Sequence, residues 1–168
     1  MAMEQYGPAP AGVGSGHRPG RGGRLIGGLR AGRRTAAYVW ASPTTAVGVV
    51  AGALTLASGG RVQRRPGIVE FHGGFASWLA RRWRFNAMTL GHVVLGRDDS
   101  CLDACRDHEM VHVRQAECWG PLFLPAYLGA SVWEWSRGRH YYLDNWFERD
   151  ARGRCGEDDC VTPAGPPR

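Results

Sequence analysis

A chain of 168 residues, 43% apolar and 10% aromatic, is long enough for one domain with a hydrophobic core, and its composition excludes a wholly disordered protein. A formal charge of +6 suggests a nucleic-acid partner until the charge is mapped. Residues 1–34 hold six arginines against Glu4, a net of +5, while the other 15 arginines and 14 acids leave +1, so the excess reads as a property of the tail. All 21 basic residues are arginine, a bias that weakens any inference from arginine to phosphate. With Tyr6 the only aromatic in that tail, no stacking platform is present and no specific nucleic-acid binding is expected.

Residues 1–34, rich in Gly, Pro and Arg, read as a disordered tail, as do residues 155–168. Between tail and core, residues 35–60 carry no charge. The stretch has the length of a membrane helix but is weakly hydrophobic, and "AVGVVAGALTLA" also fits the apolar region of a signal peptide. As a soluble helix it has Ser42 as cap and Pro43 in the first turn, with residues 44–57 buried. We read it as membrane- or interface-associated in preference to a buried helix, and membrane association as favoured over a cytoplasmic location.

From residue 61 the pattern changes. "RVQRR" and "IVEFH" flank Pro66-Gly67, which predicts a β-hairpin. "FASWLARRWRF" places Phe75, Trp78, Leu79 and Trp83 at helical spacing with arginines opposite. "MTLGHVVLG" (88–96) predicts a strand, in which His92 reads as a polar-face side chain. Helix is expected from about residue 100 to 118, then an apolar helix from about Leu122 to Trp135 after a break at Gly120-Pro121, and a last short helix from about Asp144 to Arg152. The tryptophans at 119, 133, 135 and 146 are expected in the core. The five cysteines, Cys101, Cys105, Cys118, Cys155 and Cys160, match no zinc-ribbon spacing and read as buried or free thiols, Cys101 and Cys105 being awkwardly placed for a mutual disulfide.

The chemistry is concentrated in "CRDHEMVHVRQAECWG". His108 and His112 lie four apart, so on a helix both rings leave one face and can meet one tetrahedral zinc. Glu109, about 100° round the helix, lies beside the metal's open position, where it can take a proton from zinc-bound water. A catalytic zinc takes a third protein ligand. Glu148 in "YYLDNWFERDAR" is the candidate, with Ala151 one turn later as a small residue that permits close helix approach.

His-Glu-x-x-His followed by a helical Glu-x-x-Ala resembles the gluzincin branch of zinc metallopeptidases, which includes the membrane-associated heat-shock-type proteases. "HEMVHVRQAECWGPLFLPAYL" with "DNWFERDAR" is also similar to small bacterial proteins with a minimal zincin core, over roughly residues 61–152. The resemblance implies His108, His112 and Glu148 as zinc ligands, Glu109 as general base, and a strand "TLGHVVLG" beside the motif helix, against which a peptide pairs. Where the heat-shock-type proteases have an Asp after the Ala, this chain has Arg152.

Outer-shell candidates for the histidines are Asp107 and Asp144, and for an oxyanion Tyr127, His140, Tyr141 or Tyr142, each weighed against a packing or surface role. Gln115 either lines the cleft or is solvated. The expected fold is α+β: a zincin-like domain over 61–154 with a motif helix, an apolar helix, a Glu-x-x-Ala helix and a small hairpin or edge strand. The expected function is a zinc metallopeptidase acting on a peptide or protein substrate. The alternatives are a non-catalytic zinc-stabilised module and an arginine-tail adaptor for anionic lipid or nucleic acid.

Overall fold

Residues 35–155 are those described by the computed structural model, so the tails expected over 1–34 and beyond Cys155 lie outside the described residues. After a helical lead-in at residues 35–40, the elements run α1 (Ser42–Ala57), β1 (Arg61–Arg65), β2 (Ile68–His72), α2 (Gly74–Trp83), β3 (Ala87–Leu90), β4 (Val93–Gly96), α3 (Asp99–Trp119), α4 (Phe123–Ser136) and α5 (Trp146–Cys155), with a 3-10 turn at Gly120–Leu122. The class is α+β; among the described residues these five helices accompany a four-stranded mixed sheet ordered β1-β2-β4-β3. Two antiparallel hairpins, β1–β2 and β3–β4, are joined by parallel pairing of β2 with β4. Arg65 pairs with Ile68, so Pro66-Gly67 is the two-residue turn the sequence predicts. The stretch read as one strand is two, because Gly91-His92 makes a second tight turn with Gly91 at φ +67°.

Alternation along the strands sorts the sheet into two faces. Val69, Phe71, Met88, Leu90, Val93 and Leu95 point to one side and pack with Ala51 of α1 and Ala76 and Leu79 of α2. Ile68, Ala87 and Val94 point to the other, against Leu102, Met110 and Val113 of α3. Full burial of side chains such as Val94, Leu95 and Leu102 contributes roughly 1.5–3 kcal/mol each. On the α3 side Glu70 is buried but fully paired: Arg106 clamps its two oxygens at 2.9 and 3.2 Å, and Arg65 approaches at 3.5 Å.

The apolar segment packs on the sheet through its small residues. Thr44, Gly48, Gly52 and Thr55 are buried, and a Cβ on Gly48 would sit 2.6 Å from the Val93 Cβ, one on Gly52 2.6 Å from the Phe71 ring. Only glycine permits that approach. Ser42 does not cap: the N-cap is Ala41, and the Ser42 hydroxyl donates to the Val39 carbonyl. Burial of residues 44–57 is likewise confined to one face, since Val47, Val50 and Leu54 are exposed. Among the described residues no helix is long and apolar enough to cross a membrane.

Two further expectations are corrected. The inward residues of α2 are Ala76, Ser77 and Ala80, while Trp78 and Trp83 stand in solvent at 59% and 69% exposure. Trp119, Trp133, Trp135 and Trp146 are also exposed. Apolar periodicity alone gave these rings to the core; on α2 small residues take the inner positions, and beside α4 and α5 Phe123 and Phe147 do. His92 is buried in the β3–β4 turn, stacked on Tyr38 at 4.0 Å and held between Thr45 of α1 and Glu117 of α3.

Candidate metal centre

Helix α3 begins where Asp98, in extended conformation, caps it by accepting from the Cys101 N–H at 2.8 Å. It runs to Trp119, long enough to carry the motif across the sheet in its middle turns. His108 and His112 leave it on one face, and Glu148 comes from the first turn of α5, which packs directly on α3. Ala151, fully buried, is the small residue at that helix contact.

The three side chains are buried together and form a group that could hold a metal ion. His108 Nε2 lies 3.2 Å from Glu148 Oε2, His112 Nε2 lies 3.2 Å from Glu148 Oε1, and the two Nε2 atoms are 3.1 Å apart. Donors set tetrahedrally at zinc distances are separated by about 3.3–3.4 Å, so the spacing fits such an ion closely.

Proton placement sharpens the fit. The Gln115 amide nitrogen donates to the Phe147 carbonyl at 3.1 Å and to Asp150 Oδ2 at 2.9 Å, using both of its hydrogens. Its oxygen therefore accepts from His112 Nδ1, 2.8 Å away, which puts the ring hydrogen on Nδ1 and leaves Nε2 a bare lone pair. That lone pair faces a carboxylate oxygen and a second imidazole nitrogen. A metal ion, or a proton carried on one of the rings, would satisfy this arrangement.

The titration behaviour of the metal-free group agrees. Burial disfavours charge on His112, but hydrogen bonding and the charge of Glu148 outweigh it and hold its pKa up at about 9. Burial would raise Glu148, yet hydrogen bonds from His108 and His112 hold it well below the usual carboxylate range. Glu109 is no part of the donor group. Burial raises its pKa against the opposing charge of His112, and its Oε2 accepts from the Thr89 hydroxyl of β3 at 2.6 Å. Tyr127 of α4 donates to Glu148 Oε1 at 2.7 Å, and burial followed by the charge of Glu148 raises both Tyr127 and Tyr142 far above the ordinary phenol.

The other candidates fall elsewhere. Asp144 accepts from the His140 backbone at 2.9 Å and pairs with Arg139, closing a turn before α5. His140 Nδ1 accepts from the backbones of Tyr142 and Leu143, and Tyr141 is exposed and stacked on His140. Asp107 is exposed. Arg152 donates to the Leu143 carbonyl and lies 3.9 Å from Glu148 Oε2, so a cation stands where the resemblance has an acid. The outer support comes instead from Gln115, Asp150 and Thr89. Gln115, one turn after His112, was visible as a neighbour, but its grip on α5 depends on helix pairing that spacing along α3 does not encode. Of the cysteines, Cys101 and Cys118 are free thiols, Cys155 has its sulfur 2.9 Å from the Ala151 carbonyl and 3.8 Å from His108 Nδ1, and Cys105 is disulfide-bonded.

No protein-family model, curated protein or solved structure matches this chain.

Proposed function

We propose that this chain is a zinc-dependent hydrolase of gluzincin type that cleaves peptide bonds. The reading is carried by one observation: a buried His-His-Glu group that could hold a metal ion, with a non-ligand glutamate, Glu109, buried beside it. Zinc, when bound there, polarises a carbonyl oxygen and brings the pKa of a coordinated water toward neutrality.

The residues take the following roles. His108, His112 and Glu148 hold the metal, with Gln115 fixing the tautomer of His112 and Tyr127 orienting Glu148. Glu109 accepts the proton of the attacking water on its carboxylate and returns it to the leaving amine. Its burial raises its pKa toward the range in which one group can do both. The Thr89 hydroxyl, on edge strand β3, keeps that carboxylate in place. The free side of β3 offers main-chain groups with which an extended peptide can pair.

A second reading, a zinc-stabilised module without turnover, is favoured by one observation. His108, His112 and Glu148 are only 4%, 5% and 2% exposed, and a catalytic metal needs an approach for substrate. Elemental analysis of the full, untagged chain tests both. About one zinc per chain, lost in His112→Ala and Glu148→Ala, supports the site, and no zinc bound or acquired overturns both readings. Hydrolysis of a quenched peptide library by the parent, abolished in Glu109→Gln with zinc retained, supports the enzyme. Zinc with no cleavage leaves the structural module.

A further inference from the structure

We propose that the outer surface of the α1–α2 layer is a docking face for an anionic lipid bilayer. The proposal is independent of the metal site.

Charge within the described residues is strongly polarised, which an average over the chain conceals. Residues 35–97 carry seven arginines against one acid, Glu70, a net of +6, whereas residues 98–155 carry seven arginines against ten acids, a net of −3. The single acid of the first half is buried and paired on the α3 side of the sheet. The layer of α1 and α2 therefore presents arginine with no exposed carboxylate of its own. Among the described residues, Arg61, Arg64, Arg81 and Arg82 make no ion pair.

The same layer is apolar where it faces outward. A surface helix normally turns its larger apolar residues inward. Helix α1 does the opposite: glycines and threonines line the sheet, and Val47, Val50 and Leu54 face solvent, with Trp40 exposed just before them. No charged residue occurs between Thr35 and Gly60 to solvate that face. A contiguous exposed apolar face of this kind marks a binding surface. Beside it, α2 directs Trp78, Arg81, Arg82 and Trp83 outward. Tryptophan and arginine beside an aliphatic strip is the pattern of a helix layer lying in a membrane interface, rings at headgroup depth and guanidinium groups on lipid phosphates.

Packing fixes how the layer would lie. Helix α1 is packed on the sheet through Gly48 and Gly52, and among the described residues no helix is long and apolar enough to cross a membrane, so the helix would rest along the surface. Where α2 meets the end of α1, Arg61 and Arg81 border a cleft of about 580 Å³. Asp98, paired with Arg97, and Asp99, which accepts from Gln63 and lies 3.8 Å from His72, also border that cleft, so the headgroup contacts are assigned to Arg81 and Arg82 on the outer side of α2. A nucleic-acid backbone gives Val47, Val50 and Leu54 nothing to bury against. A two-fold pairing of copies would set these arginines against their own kind.

The test is co-sedimentation of the full chain with phosphatidylcholine vesicles, with and without 30% phosphatidylglycerol. The expected results are at least tenfold tighter binding to the anionic vesicles, a tenfold or greater loss in Val50→Glu/Leu54→Glu, and loss of the phosphatidylglycerol preference in Arg81→Glu/Arg82→Glu. Circular dichroism should be unchanged in both. Should glutamate disturb α1, Val50→Ser/Leu54→Ser must still show a smaller loss in the same direction. Absence of binding by the parent overturns the proposal. So does binding that both double variants retain, which would assign the attraction to the arginines of residues 1–34. If the α1 variant only dissociates a dimer, or the α2 variant only weakens binding to a DNA duplex, a second copy or nucleic acid takes the lipid's place and the proposal fails.

Discussion

Against one face of the sheet, α3 buries two histidines and a glutamate and meets a second buried glutamate on α5; against the other, α1 buries glycines and threonines and turns valines and leucines outward. The first side conceals polar groups that bond one another and could hold a metal ion. The second exposes apolar groups with no partner among the described residues. Within the first, Gln115 holds His112, Tyr127 holds Glu148 and Thr89 holds Glu109, with Asp150 accepting from Gln115. The second is complete only with something outside. Polar burial marks a site for a small ligand, and apolar exposure marks a surface for a large one.

The largest effect that would break this contrast is on the polar side, in metal-free protein. Folding raises His112 from its usual 6.5 to about 9, so between those values the native state holds more protons than the unfolded chain. The resulting stabilisation is complete below pH 6.5 and is lost as pH climbs through 9, roughly 3 kcal/mol in all. Glu148, whose pKa is lowered on folding, works in the opposite direction: its contribution is present above the usual carboxylate range and disappears only in strong acid. Chemical denaturation of chelator-treated protein should therefore show a fall in stability between neutral pH and about pH 10, and saturating zinc should remove that fall. A flat profile without metal would mean that the histidines do not share a cation.

On the apolar side, Gly52→Val should cost about 1–3 kcal/mol, because its first added carbon meets the Phe71 ring. Zinc stoichiometry should stay at the parental value, since the two sides are separated by the sheet. Loss of zinc in that variant would show the halves to be coupled. The smallest effect belongs to the outer support: Gln115→Ala should weaken zinc affinity about 10–100-fold while retaining the metal at saturation, by competition with a chromophoric chelator. Unchanged affinity would leave the His112 tautomer to be set by something other than this amide.

How much of this was legible in the sequence follows the same division. The first hairpin, the motif helix, its break at Gly120 and the Glu148 helix with Ala151 were readable because each is encoded by residues close in sequence. The three donors were nameable because ligand chemistry restricts residue type so severely. The tryptophans were misplaced because a periodic apolar pattern identifies a face without telling which side of a helix finds room, and on α2 the small residues Ala76, Ser77 and Ala80 take the inner positions. The charge polarity was missed by averaging residues 35–168, which cancels the +6 of one half against the acids of the other. Gln115 and Asp150 became meaningful only once α5 lay against α3.

The parallel seam between β2 and β4 also sets an order of assembly. Each hairpin closes over a two-residue turn and is expected within about 1–10 μs, whereas the seam pairs Val69 with Val93 and must wait until α2 and β3 are in place between them. Helix α3 starts just after β4, so His108 and His112 gain a floor only when that seam has closed. A chain synthesised from its N-terminus has by then already emerged with every residue of the arginine-bearing layer. The segments we assign to lipid thus precede α3 and α5, which bear the candidate metal donors, in the order of synthesis.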